Sequence, residues 1–176
     1  MAISLRQETD TDYEAVFKVI EEAFSEVVDS DNKEHFLVER LRNSEAFIPE
    51  LSIIAESDGS IIGHILLTRI QITNDDESFS SLALAPVSVL PAFQKKGIGG
   101  QLIVEAHKIA KSLGHQSIVL LGHESYYPKF GYELASKYNI TIPFEAPEEN
   151  CLVIKLVRDG LNGVSGAVEY AKEFYK

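Results

Sequence analysis

The chain has 176 residues, 45% of them hydrophobic and 24% charged, and its 16 Lys and Arg against 27 Asp and Glu leave a net charge of −11. Residues 1–176 therefore read as a single globular domain, and the acidic balance argues against nucleic acid as a partner, because phosphate binding needs clustered Lys and Arg. No apolar run approaches the roughly 18 residues of a membrane span, MAISLRQETD lacks the basic-then-apolar pattern of a secretory signal, and one cysteine, Cys151, cannot build a disulfide framework, so a cytoplasmic protein without membrane attachment is expected.

Ile3 to Gln7 alternates and predicts a short first strand. "TDTDYEAVFKVIEEAFSE" predicts a helix with Thr11 or Asp12 as N-cap and an apolar stripe of Val16, Phe17, Ile20 and Phe24. "DNKEHFLVERLRNS" predicts a second, with Phe36, Leu37 and Leu41 on one side. "LSIIAESDGSIIGHILLTRIQI" reads as two strands joined at Asp58-Gly59, a dipeptide that supplies the positive φ angles of a type I′ turn. In "FSSLALAPVSVLP", a fourth strand, Pro86 cannot donate to a ladder and so marks an edge or a bulge. "GIGGQLIVEAHKIAKSLG" predicts a helix burying Ile98, Leu102, Ala106, Ile109 and Leu113, with Gly114 placed to end it. The apolar run "QSIVLLG" fits a strand covered on both faces, "ESYYPKFG" a short helix or turn closing on Gly131, and "CLVIKLV" another strand. "GVSGAVEYAKEFYK" reads as strand rather than helix because of its glycines, and such a strand, left unpaired, could dock on a neighbouring copy. The order implies an α/β (α+β) fold with a mixed central sheet flanked by helices, residues 82–121 forming a parallel strand–helix–strand crossover.

The stretch "PAFQKKGIGGQLI" places two lysines and three glycines where that helix begins. Backbone N–H groups at a helix start have no partner within the helix, and with the positive end of the macrodipole they suit an anion. Gly97, Gly99 and Gly100 let the backbone approach closely, Lys95 and Lys96 add charge, and Gln94 adds a neutral donor. An ordinary helix N-terminus explains the same pattern. A P-loop does not fit, since no Gly-Lys-Ser/Thr triplet follows, and Leu102 spoils a G-x-G-x-x-G dinucleotide fingerprint.

"VSVLPAFQKKGIGGQLI" resembles the signature of the GNAT superfamily of acyl-CoA-dependent N-acetyltransferases, a strand and Pro followed by Gln/Arg-x-x-Gly-x-Gly/Ala opening a long helix. Here these are Val87 to Pro91, then Gln94, Gly97 and Gly99. "YYPKFGY" is similar to the family's second signature, through Tyr126, Tyr127, Lys129, Gly131 and Tyr132, and resembles most a bacterial subgroup of predicted N-acetyltransferases with a Tyr-Tyr-x-x-Phe-Gly segment. The resemblance spans roughly residues 3–157. It implies a GNAT-like acyl-CoA N-acyltransferase fold with a splayed central sheet, and acetyl-CoA (coenzyme A) as cofactor. Its pyrophosphate would lie on the amides of residues 95–100, Ile98 included, and its pantetheine arm on unpaired backbone at Val87, Ser88 and Val89.

Acetyl transfer from a thioester to an amine needs a neutral amine, a donor for the thioester oxygen and a proton for the departing sulfur. The resemblance assigns the second to a strand amide, foremost that of Val89. It assigns the third to Tyr127, four residues before Gly131, with Tyr126 in reserve; either tyrosine can instead be a core aromatic. Many relatives carry a glutamate base on the fourth or fifth strand, but "SLALAPVSVL" and "SIVLLG" have none. His123 and Glu124 are the nearest candidates and His64 another, with a water relay as the alternative. His35, His107 and His115 read as surface or helix-end residues, Cys151 as a small buried hydrophobe, and Glu145, Glu148 and Glu149 as a solvated loop. No cluster has metal-ligand spacing, so no metal is expected. The implied acceptor is a small-molecule amine or a protein amino group, and the protein a monomer or homodimer. A non-catalytic acyl-CoA sensor or regulatory module shares the glycine motif and stands as the alternative, with a nucleotide-binding regulator as a third reading.

Overall fold

The computed structural model of the protein describes residues 2–175, and among these nine strands form one mixed sheet. Strands β1 (Ser4–Gln7), β2 (Phe47–Ser57), β3 (Ser60–Thr73) and β4 (Ser78–Val89) are neighbours in that order and antiparallel; β4 then pairs in parallel with β5 (Ser117–Leu121). The chain goes on to β6 (Glu133–Leu134), β7 (Ile140–Thr141), β8 (Cys151–Lys155) and β9 (Gly166–Glu169). β8 runs antiparallel between β5 and β6, while β9 pairs with the far end of β3 and with β7. Helices α1 (Tyr13–Phe24) and α2 (Glu34–Arg42) join β1 to β2, and α3 (Ile98–Ser112) joins β4 to β5. No helix among the described residues is long and apolar enough to cross a membrane.

The β2–β3 turn has φ of 51° at Asp58 and 78° at Gly59, the angles that dipeptide predicts. At Pro86 the ladder slips: Ile65 faces Val87 and Leu67 faces Leu84, so one residue of β3 is set against two, Ala85 and Pro86, of β4. This is a bulge, and it falls where β4 leaves β5. Parallel pairing is confined to Leu82 with Ile118 and Ala83 with Val119. Beyond Leu84 the strand follows β3 alone, and the sheet is splayed.

One face of the sheet packs on α3, where Ile98, Leu102, Ile103, Ala106 and Ala110 meet Ile53, Ile65, Leu67, Leu82, Ile118 and Leu120. The other face packs on α1 and α2 through Val16, Ile20, Val38, Leu41, Ile54 and Leu66. Further along that face, Ile70, Ile72, Ala83, Val119 and Val153 are roofed by Ile140 of β7 and Val168 of β9. Each fully buried aliphatic side chain is worth about 1.5–3 kcal/mol, so these layers hold the splayed strands in place.

Several expectations need correcting. α1 buries Val16, Val19, Ile20 and Ala23, while Phe17 and Phe24 are only half-buried, and α2 buries His35, Val38 and Leu41 while Phe36 is exposed. His35 is therefore no surface residue; its ring lies 4.6 Å from that of Phe17 and 4.2 Å from that of Phe36. In α3, Leu113 is exposed and Ile103 and Ala110 take the inner positions. The C-terminal segment is a strand, as its glycines suggest, but it is paired within the chain on both edges rather than left open to a neighbouring copy.

Candidate active site

The chain leaves β4 through a 3-10 turn, Pro91–Phe93, and reaches α3 with left-handed residues at Lys95 (φ 64°) and Gly97 (φ 81°). The first intrahelical bond runs from Gln101 N–H to the Gly97 carbonyl, so the amides of residues 98–100 lie ahead of it at the positive end of the helix. They face a cleft of ≈ 670 Å³. Val87 and Val89 of β4 form one wall; Gln94, Lys95, Gly97, Ile98, Gly99 and Gly100 form the end; His123, Tyr126 and Lys129 form the far wall.

Strand geometry decides which backbone groups open toward this cleft. Leu90 N–H bonds the Ile62 carbonyl, and the same register pairs Ser88 with His64. Hydrogen-bonded and non-hydrogen-bonded pairs alternate along an antiparallel ladder. The polar backbone groups of Val87 and Val89 therefore point away from β3, into the gap left by β5, while those of Ser88 belong to the β3 ladder. That corrects the expectation of three consecutive free residues. The Val89 carbonyl accepts a 2.9 Å bond from Gln94 Nε2, so Gln94 ties the loop to the strand rather than reaching outward through that N–H. Lys95 and Lys129 put positive charge in the cleft of an acidic protein, whereas Lys96 lies outside the lining, its ammonium 5.5 Å from the centre of the Phe93 ring.

The two tyrosines stand at different depths from the cleft. Tyr126 lines the cleft, and its hydroxyl would lie 3.5 Å from a Cβ placed on Gly99. Tyr127, on the 3-10 turn Tyr127–Phe130, sits behind it, edge-on to Tyr126 at 5.1 Å and to Tyr132 at 5.7 Å between ring centres. It packs so closely on Gly122 that a Cβ there would fall 2.2 Å from Tyr127 Cε2. Burial, with a smaller contribution from Tyr126, pushes the Tyr127 phenol up to about 12, and burial raises Tyr126 as well. Both hydroxyls keep their protons at neutral pH. Behind them Tyr132 Oη meets His107 Nε2 at 2.8 Å, and burial lowers this half-buried imidazole to about 4. His107 is thus part of the aromatic backing, not a surface residue. His115 is also half-buried, its pKa lowered by burial and then by Arg69.

His123 and Glu124 are both exposed, and only His123 lines the cleft. His64 is wholly buried on the opposite face of the sheet. The sequence reading did not single out Lys129 as a contact. Its position two residues before Gly131 in the aromatic motif was the available signal.

The cleft has the charge, the open amides and the unpaired strand edge that a phosphate-bearing thioester requires, and Gly97 faces open space. These features define a protein with a splayed mixed sheet whose gap ends on a helix N-terminus, the architecture of acyl-CoA N-acyltransferases. The family model of the acetyltransferase (GNAT) domain matches residues 4–135, and the chain belongs to this family. It is 37% identical over 120 residues to the uncharacterized N-acetyltransferase YjhQ of Escherichia coli K12, an alignment covering 68% of this chain and 66% of YjhQ. Among solved structures it is similar to the GNAT family N-acetyltransferase YhbS of Escherichia coli in complex with CoA, with a TM-score of 0.88 and 27% identity over 99% of this chain and 92% of that one. A GNAT family acetyltransferase of Brucella melitensis in complex with acetyl-CoA gives 0.81 and 32% identity, over 98% of each chain.

Proposed function

We propose that residues 1–176 act as one N-acetyltransferase domain that moves an acetyl group from acetyl-CoA to a primary amine of a small molecule or protein. The observation that carries this reading is the parting of β4 from β5 beyond Leu84, with the open amides of α3 at its mouth. Two relatives of 27% and 32% identity that share the fold were crystallised with CoA and acetyl-CoA. Acetyl-CoA supplies an activated acyl carbon on a sulfur leaving group. The amides of residues 97–100, with Lys95 and Lys129, hold its diphosphate. The N–H groups of Val87 and Val89 hold its arm and carbonyl in the gap.

Tyr127 is the general acid that returns a proton to sulfur, a role its raised pKa suits because the phenol stays protonated. Tyr126, on the cleft wall, orders the arm and stands as the alternative acid. His123, which lines the same cleft, is the candidate base. A cytoplasmic location accords with a lone, unbridged cysteine.

The test is thiol release with a panel of amines, comparing native protein with Tyr127→Phe and Tyr126→Phe. Tyr127→Phe should lower kcat by about 10–100-fold with coenzyme affinity unchanged, whereas Tyr126→Phe should chiefly weaken coenzyme binding. The opposite pattern transfers the acid role to Tyr126. Tight CoA binding without thiol release for any amine establishes the sensor reading instead.

A further inference from the structure

The non-glycine residues with positive φ among those described are Asn32, Asp58, Asn139 and Lys95. Asn and Asp tolerate the left-handed region because a short polar side chain can bond locally, whereas lysine gains nothing there. Lys95, at φ 64°, lies in the loop between β4 and α3, two residues before Gly97 at φ 81°. Glycine would make the same turn without steric cost, so the lysine is kept for its side chain.

The turn also decides where that side chain goes. Gln94 is extended, with φ −69° and ψ 160°, and adjacent side chains on an extended chain point to opposite sides. Yet Gln94 and Lys95 both line the coenzyme cleft, while Lys96 turns away to lie over the Phe93 ring. The left-handed backbone at Lys95 is what brings its side chain round to the cleft.

Such a conformation persists only where its surroundings impose it. Lys95 is exposed, so core packing does not hold it. On its far side Gly97 is fixed by the first bond of α3, from Gln101 N–H to the Gly97 carbonyl at 3.0 Å. On its near side the backbone of Gln94 is tied only to its own turn, by a long 3.3 Å bond from its N–H to the Pro91 carbonyl. The firmer tie is the Gln94 side chain, whose Nε2 donates to the Val89 carbonyl at 2.9 Å. That carbonyl is itself immobile, because the N–H of the same peptide, on Leu90, bonds Ile62 of β3 at 2.9 Å. The side chain of Gln94 thus anchors the loop to the sheet at the residue next to the left-handed turn.

We propose that Gln94 is a positioning residue for Lys95: its bond to the Val89 carbonyl holds the left-handed turn that keeps the Lys95 ammonium in the cleft, against coenzyme phosphate. The inference rests on the coenzyme-binding part of the acetyl-transfer reading. It gives a neutral side chain an electrostatic effect. Removing the Gln94 carboxamide changes no charge, yet it releases a charge from the place where the coenzyme meets it.

The test is calorimetry of CoA binding to native protein, Gln94→Met, Lys95→Met and the double variant. It is run between ~0.01 M and ~1 M salt, where the Debye length falls from about 30 Å to about 3 Å. Lys95→Met should weaken binding ~5-fold or more at the low-salt end and flatten the salt dependence. Gln94→Met should weaken and flatten it nearly as much. The double variant should bind within ~2-fold of Lys95→Met, since residues that act as one unit are not additive. Lys95→Gly should bind as weakly as Lys95→Met while melting at or above the native temperature, because glycine relieves the left-handed strain. Native salt dependence in Gln94→Met, additive losses in the double variant, or a lower melting temperature in Lys95→Gly each overturn the proposal. Additive losses would make Gln94 a direct phosphate ligand. Failure of the native protein to bind CoA at any salt overturns the coenzyme reading itself, and this inference with it.

Discussion

Gly97 and Gly99 lie two residues apart and are held to glycine by different forces. Gly97 has φ of +81°, and a Cβ there would meet nothing within 4 Å, so conformation alone disfavours a side chain. Gly99 has ordinary helical backbone, and a Cβ there would lie 3.5 Å from Tyr126 Oη and 3.8 Å from Val89 Cγ2, unstrained but inside the cleft. Gly97→Ala should therefore lose about 1–2 kcal/mol in denaturant melts, the cost of a left-handed alanine. Gly99→Ala should change stability by less than about 0.5 kcal/mol yet weaken CoA binding in calorimetry. Equal affinity in Gly99→Ala and native protein would take Gly99 out of the anion site. The motif itself was legible in the sequence, since glycine and lysine spacing is local. Which of two adjacent tyrosines faces the cleft was not. That depends on how the 3-10 turn is rotated and on the bare Gly122 that receives the Tyr127 ring, and neither is a property of spacing. The buried contacts of Ser52 Oγ with Glu8 Oε1 at 2.8 Å and His64 Nε2 at 2.9 Å were equally hidden, because these partners are 44 and 12 residues from Ser52 in the chain.

At the level of elements, the sequence showed strands better than it showed helix faces. Alternation, the Asp58-Gly59 turn and Pro86 each report a local constraint, and β2, β3 and the β4 bulge follow from them. The stripes of α1 and α2 were misjudged because hydrophobicity ranks Phe17 and Phe36 above Ala23 and His35, whereas burial follows which residues face a neighbouring element, and His35 is enclosed against Phe17 of α1. The pairing of β9 needed the fold as well. Its entry is guarded by Gly166, where φ is +132° and a Cβ would fall 2.1 Å from the Thr73 carbonyl oxygen. Gly166→Ala must push β9 away from β3 and expose Val168, at about 3 kcal/mol. Gly163, with φ of +72° and nothing within 4 Å, serves as control: alanine there should cost only about 1–2 kcal/mol. Hydrogen exchange should show the amides of Gln71 to Thr73 losing protection in Gly166→Ala and not in Gly163→Ala. Equal losses in the two variants would mean that backbone strain, not the clash with β3, sets the cost.

For the molecule as a whole, acidification sets two effects against each other. Protonating carboxylates relieves the repulsion of a chain carrying −11, which favours the folded state as pH falls. Burial of histidine works the other way. His64 and His107 are lowered to about 3 and about 4, below the roughly 6.5 of an unfolded histidine, so the unfolded chain binds their protons first. Their contribution is complete above pH ~6.5 and is lost as pH falls toward the folded values, with a slope of up to about 1.4 kcal/mol per pH unit for each. His107, only half-buried, gives the smaller part. Salt separates the two effects, since a Debye length of about 8 Å at 0.15 M screens surface repulsion but not the desolvation of an enclosed ring. At that ionic strength, denaturant midpoints should fall steadily from pH 7 to pH 4.5. His107→Gln should flatten the slope in part, and the remainder belongs chiefly to His64. A midpoint that holds level or rises across this range would show that neither imidazole is held neutral.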